Sequence, residues 1–232
     1  MNIRYVIAGL VIIVVAGGGM YFMKSRQKPL AAVSEQIKDN KTKGSETARI
    51  TIIEYSDFQC PACQQSQAPL NELLARYPAQ IRLIYRHFPL PMHMWAPMAH
   101  QAAECAAGQG KFWEFHDRLY KEQLAWSGPS SPLETFLRYA GEAGLNLDEF
   151  GRCLADDQVR QRILAEKKEG DKLQIQSTPT FFVNGERMVG AVELQMRADA
   201  FIRKVLGFPP APPPPVFAPS LPPPAPAEAP AA

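Results

Sequence analysis

An α/β fold carrying an inserted all-helical block is predicted by three features of the chain. Between about residues 48 and 90, a β-branched run, a helical pattern and a second apolar run succeed one another as strand, helix and strand. From about 92 to 175 the apolar residues recur at helical spacing, with no stretch that reads as a strand. Strand signals then return in TPTFFVNGERMVG, ahead of a last amphipathic helix. A βαβ unit, a helical insertion and a ββα unit imply a sheet with helices on its faces.

Each element has a local reason. In ARITIIEYSDFQC, Ile50, Ile52 and Ile53 form a buried strand ending near Tyr55. Pro61 suits the first turn of the following helix, whose Leu70, Leu73 and Leu74 make an apolar stripe, and Pro69 is expected to kink it. IRLIYRHF is the second strand. Residues 99–107, 111–123, 132–143, 147–155 and 159–173 are the helices of the insertion, in which Phe112, Trp113, Phe115 and Tyr120 read as core. Asn184-Gly185 is the two-residue turn of a hairpin, and a helix over about 193–206 closes the domain.

The two ends stand apart from this pattern. Of the 232 residues 22 are proline, and twelve of these crowd into residues 209–232, where Glu228 is the one charge. That composition predicts an extended, solvated Pro/Ala-rich tail. Residues 5–23 carry no charge; as a helix they would span about 28 Å, one bilayer core. Residues 1–27 therefore read as a membrane anchor or a signal segment. Residues 28–47 read as a linker or a short leading helix, and 48–208 as the folded domain. Lys+Arg 25 against Asp+Glu 23 gives a net charge of +2, which supplies no bulk reason to expect nucleic acid as a partner.

The chemistry sits in Cys60-Pro61-Ala62-Cys63, between a predicted strand and a predicted helix. A thiol at a helix N-terminus meets unsatisfied backbone N–H groups and the positive end of the helix dipole, which favour a thiolate. Cys63, one turn further in, is placed to attack a mixed disulfide at Cys60. A CxxC pair is also half of a zinc site. Two more ligands at metal spacing would be needed, and Cys105, Cys153, His87, His93, His100 and His116 do not supply that spacing. The four histidines read as structural, and no cofactor or metal is expected.

SDFQCPAC after a strand, AECAAGQGKFWEFHDRLY in the helical block and TPTFFVNG before the hairpin resemble the DsbA family of thioredoxin-fold thiol:disulfide oxidoreductases over about residues 48–207. The resemblance implies a thioredoxin-like α/β fold with an inserted all-helical subdomain. It assigns Cys60 as nucleophile and Cys63 as resolving thiol. Thr178-Pro179 becomes the cis-proline loop, with the Thr178 backbone pairing to substrate. Glu54 is then the buried acid beneath Cys63, the other reading being a strand-edge glutamate in water. Oxidising members carry His where this chain has Ala62, which implies a less depressed Cys60 pKa and a less oxidising potential. Cys105 and Cys153 are left as a structural disulfide, as in some relatives, or as two buried free thiols. Met92, Met94, Trp95 and Met98 are the candidate substrate groove.

The function so implied is an extracytoplasmic thiol:disulfide oxidoreductase, anchored through residues 5–23, that introduces disulfides into reduced or unfolded exported proteins and is recycled by a membrane redox partner. Isomerase and reductase activity are the alternatives within the fold. A redox-silent holdase and a copper(I)-binding protein are the alternatives outside it.

Overall fold

The computed structural model describes residues 40–209 apart from 129. The anchor or signal segment and the Pro/Ala-rich tail beyond 209 lie outside the described residues. Five strands and eight helices are described, in the order β1 (Thr42–Gly44), β2 (Ile50–Ser56), α1 (Pro61–Arg76), β3 (Ile81–His87), α2 (Ala96–Gly108), α3 (Phe112–Lys121), α4 (Gln123–Trp126), α5 (Leu133–Glu142), α6 (Leu147–Leu154), α7 (Asp157–Lys172), β4 (Thr180–Val183), β5 (Glu186–Val189) and α8 (Gly190–Leu206). The strands form one sheet ordered β1-β3-β2-β4-β5. β2 and β3 are parallel, and the other three pairings are antiparallel.

β2 reads as a near-continuous apolar run because both of its faces are covered. Ile50 and Ile52 enter a core made with Leu70 and Leu73 of α1 and Leu194, Ala198 and Ile202 of α8. Ile53 and Tyr55 point the other way, to Ile84, Phe88, Ile175 and Phe182. A third core fills the helical insertion and reaches the sheet through Phe58 and Tyr85. The α2–α7 block sits between β3 and β4 in the chain, and its α7 packs on β3. Helix α1 runs through Pro69 without interruption.

Two departures from the sequence reading have physical causes. Residues 42–44, expected as linker or helix, are an edge strand whose partner is β3. Three residues hold no periodicity to read, and Gly44 takes φ +99°, with the Ile81 carbonyl where a Cβ would stand. The helix expected over 111–123 breaks at Glu122, and Gln123 opens a separate short helix with its side chain turned inward.

At Gly170 the backbone of α7 lies directly against the rings of Phe88 and Tyr55. A Cβ there would meet Phe88 Cε2 at 2.6 Å and Tyr55 Cδ1 at 3.1 Å. Both rings are buried and packed edge to face, so neither can swing aside. Alanine would gain about 1 kcal/mol of helix propensity and meet an overpacking cost of about 1–3 kcal/mol. Gly170→Ala is therefore expected to destabilise the domain by up to about 2 kcal/mol, read as a lower urea midpoint.

Candidate active site

Cys60 is the N-cap of α1 with φ −75° and ψ 121°, and Pro61 fills the first helical position, where no N–H is needed. The helix therefore starts at the motif, and its free N–H groups face the thiol. Cys60 is 8% exposed, whereas Cys63, a turn further in, is fully enclosed. Both are free thiols. A hydrogen bond from the Cys63 thiol, helped by the Thr178 side chain and the backbone N–H groups of Cys63 and Ala62, outweighs burial and brings the Cys60 pKa down to about 5. Burial first, then the Cys60 sulfur, pushes Cys63 well above the ordinary thiol value. One thiol is primed as a thiolate and the other stays protonated.

The loop before β4 closes the site from the other side. Thr178-Pro179 is a cis peptide, the Cys60 thiol lies 3.5 Å from the Thr178 carbonyl, and the Pro179 carbonyl accepts from Gly190 N at 2.8 Å. Glu54, opposite Tyr85 of β3 and Phe181 of β4, is fully buried rather than at a wet edge. Burial raises its carboxyl pKa against the opposing pull of His116, Ser56 and Gln67.

The sequence reading missed the groups that hold the motif in place. Asp57 is completely buried, and its carboxylate accepts from Gln59 N (2.7 Å), Leu90 N (2.7 Å) and His93 Nδ1 (2.9 Å). Its backbone N–H points at Cys63 Sγ, 3.4 Å away. Gln59 accepts from Trp95 N at 2.7 Å and donates to the Ser127 carbonyl at 3.2 Å. Gln123 donates to the carbonyls of Phe58 and Cys60 at 2.8 and 3.0 Å. Asp57 and Gln59 lie inside SDFQC, so they were visible as polar neighbours of Cys60. Gln123 had no local signal.

The four candidate groove residues differ in burial. Met92 and Met94 are 74% and 69% exposed. Trp95 is half-buried and pinned through Nε1 to the Gly128 carbonyl at 2.7 Å. Met98 packs inward, lining an apolar cavity of about 380 Å³ with Leu133, Leu137 and Leu154. Leu124, 86% exposed and adjacent to Gln123, is an apolar side chain near the motif that the sequence did not single out. Cys105 and Cys153 form a disulfide that joins α2 to α6. Among the described residues no group of three or more His, Cys, Asp or Glu side chains is arranged to hold a metal ion.

Comparison with known proteins agrees with this geometry. A family model described as thioredoxin matches residues 37–200. The solved structure of alpha-DsbA1 from Wolbachia pipientis is 25% identical with a TM-score of 0.64, covering 73% of this chain and 92% of that one. A thioredoxin-like oxidoreductase from Silicibacter pomeroyi is 29% identical with a TM-score of 0.59, covering 70% and 90%. Among curated proteins, the Na(+)/H(+) antiporter NhaA 3 of Salinispora tropica is 39% identical over 180 residues, 73% of this chain and 27% of the antiporter. The chain thus spans about a quarter of the length of the curated relatives it matches.

Proposed function

The chain belongs to the thioredoxin family as a DsbA-like member, and from that premise we propose that it is an extracytoplasmic thiol:disulfide oxidoreductase that introduces disulfides into exported proteins through Cys60 and Cys63. The observation that carries this reading is the asymmetry of the two thiols, one down at about 5 and the other well above its ordinary value. In the oxidised enzyme a substrate thiolate attacks Cys60 Sγ. The Cys60–Cys63 bond breaks, its electron pair stays on Cys63, and a mixed disulfide forms at Cys60. A second substrate thiolate then attacks the substrate sulfur, so that a substrate disulfide forms and Cys60 leaves as its stable thiolate. Two electrons have moved from substrate to enzyme, and a membrane-bound oxidant must remove them for turnover.

Glu54, in this reading, exchanges a proton with Cys63, and Thr178 offers backbone groups to an extended substrate beside Cys60. Location outside the cytoplasm is supported by the Cys105–Cys153 bond, which suits an oxidising compartment, and by the charge-free residues 5–23 as an anchor. No helix among the described residues is long and apolar enough to cross a membrane. The absence of a positive group at Ala62 favours a milder oxidant than a member with His there.

Equilibration of the Cys60–Cys63 pair with glutathione tests the direction. A potential of about −180 mV or above is expected for an oxidase or an isomerase, whereas about −270 mV would assign the protein to reductase work. Failure to accelerate disulfide formation in reduced ribonuclease would sink the oxidase reading.

A further inference from the structure

When the Cys60–Cys63 bond opens, an electron pair lands on Cys63 Sγ, which is closed to solvent. Water cannot stabilise the charge there, so a donor has to come from the protein. Among the described residues, one backbone N–H meets this sulfur: that of Asp57 donates to Cys63 Sγ at 3.4 Å. The same residue also holds the other cysteine, because the Asp57 carbonyl accepts from Cys60 N at 3.1 Å.

The aim of this N–H is set from both sides. The Ser56–Asp57 peptide is planar and trans, so its carbonyl and its N–H point in opposite directions. On one side the Ser56 carbonyl accepts from Phe88 N at 3.0 Å and from Tyr85 OH at 3.3 Å, which leaves the N–H facing Cys63. On the other side the buried Asp57 carboxylate accepts from Gln59 N at 2.7 Å, Leu90 N at 2.7 Å and His93 Nδ1 at 2.9 Å. These three bonds engage both carboxylate oxygens and fix the rotation of the residue that carries the N–H.

We propose that the Asp57 N–H is the donor that stabilises Cys63 as a leaving group, with the Asp57 carboxylate and His93 as the positioning groups that aim it. The proposal rests on the thiol:disulfide reading above and assigns a further residue to it. As a substrate thiolate forms its bond to Cys60 Sγ, the Cys60–Cys63 bond breaks and its electron pair becomes a thiolate at Cys63. One negative charge has passed from the substrate sulfur to Cys63, and no co-reactant is needed. The N–H···S bond strengthens as that charge develops. In the reverse direction the same N–H serves the Cys63 thiolate as it attacks the mixed disulfide. A donor that acts on the transient charge lowers the barrier both ways and leaves the disulfide–dithiol equilibrium where it was. A buried carboxylate acting through its charge alone would do the opposite: it would repel the charge arriving at Cys63, and its removal would speed opening.

The test is stopped-flow reduction of the oxidised full chain by dithiothreitol at pH 7, with the glutathione equilibrium measured beside it. Wild type is compared with Asp57→Ala, Asp57→Asn, His93→Ala and the double variant Asp57→Ala/His93→Ala. Asp57→Ala frees the peptide and is expected to slow opening about 10-fold, the loss of most of one hydrogen bond to a charged group. Asp57→Asn removes the charge but keeps an acceptor, and opening is expected to be no faster than in wild type. His93→Ala, at a partly exposed position, leaves two of the three bonds, and a slowing of about 3-fold is expected. The double variant is expected to be no slower than Asp57→Ala, because His93 acts through Asp57. The glutathione equilibrium is expected to stay within about 2-fold of wild type in every variant, since the donor acts on the barrier.

Opening as fast as wild type in Asp57→Ala, or faster in Asp57→Asn, overturns the donor role and leaves Asp57 as a buried charge. An equilibrium that shifts together with the rate overturns it as well, because altered packing then accounts for the loss. Should Asp57→Ala not fold, an unchanged rate in His93→Ala overturns it equally. A wild-type disulfide no more reactive than a linear disulfide peptide sinks the oxidoreductase reading and the donor with it. A reactive wild type beside an equally reactive Asp57→Ala sinks the donor alone.

Discussion

Cys60→Ser is expected to lower thiol–disulfide exchange by at least about 10³-fold, because a serine hydroxyl neither ionises near neutral pH nor forms the mixed disulfide. The larger content of the prediction lies in its pH dependence. With its pKa down at about 5, Cys60 is about nine-tenths thiolate at pH 6, where a thiol at the ordinary 9.0 would be about a thousandth ionised. Alkylation of the reduced wild type should therefore reach half its maximal rate near pH 5. Cys63→Ala removes the hydrogen bond that contributes most to this, so its half-point is expected to move up toward 9. An unmoved half-point would assign the depression to the helix terminus instead.

The same shift has a consequence for stability. The folded dithiol is already ionised at Cys60 between about pH 5 and 9, where the unfolded chain still holds that proton, so the reduced form gains stability as pH rises through this window. That gain is lost as pH falls through 5. The disulfide form has no such titration. The dithiol is therefore favoured over the disulfide increasingly toward alkaline pH, which drives electrons from substrate to enzyme. A reduced protein that gains no stability over the oxidised one between pH 5 and 9 would contradict this.

How much of this was visible in the sequence depends on how far along the chain each partner lies. Cys60 and Cys63 are one helical turn apart at a strand–helix junction, so both the chemistry and its placement could be read locally. The Asn184-Gly185 turn was equally legible, because both residues take the positive φ that such a turn needs, 46° and 89°. The clamps on the motif were not. Asp57 works through Leu90 and His93, 33 and 36 residues away, and Gln123 through Phe58 and Cys60, 65 and 63 residues away. Polar side chains acting over such separations leave no period. The candidate groove was legible only as a cluster in sequence: the chain turns between Met92, Met94, Trp95 and Met98 into α2, so Met92 and Met94 are exposed whereas Trp95 and Met98 are half-buried against the helical core.

Lys41 shows the cost of that blindness, and Lys41→Met is expected to destabilise the domain by about 3 kcal/mol. Placed in a linker by composition, Lys41 is 2% exposed and lies between two carboxylates, Glu104 of α2 at 2.9 Å and Glu166 of α7 at 2.6 Å. Around these, Glu166 accepts from Arg86 at 3.2 Å and from His87 N at 2.7 Å. Glu104 meets His87 Nε2 at 3.1 Å and Arg162 at 3.2 Å. Burial alone would raise both carboxyls, but His87, Lys41 and, for Glu166, Arg86 hold them below the usual range. The network thus fastens the edge of the sheet to two helices of the insertion. Methionine would fill the space of the lysine stem while leaving two buried carboxylates short of one cation, and the cost of an uncompensated buried charge exceeds any gain in apolar packing. The sign with pH follows from the depressed carboxyls. Their contribution is complete above about 4.5, the ordinary glutamate value, and is lost as pH falls through their lower folded values. The difference in urea stability between wild type and Lys41→Met should therefore be largest at pH 7 and shrink progressively below about 4.5, while Cys60 in the folded variant keeps its half-point near pH 5. A difference that stays constant into acid would mean that Lys41 contributes through its stem and not through its charge.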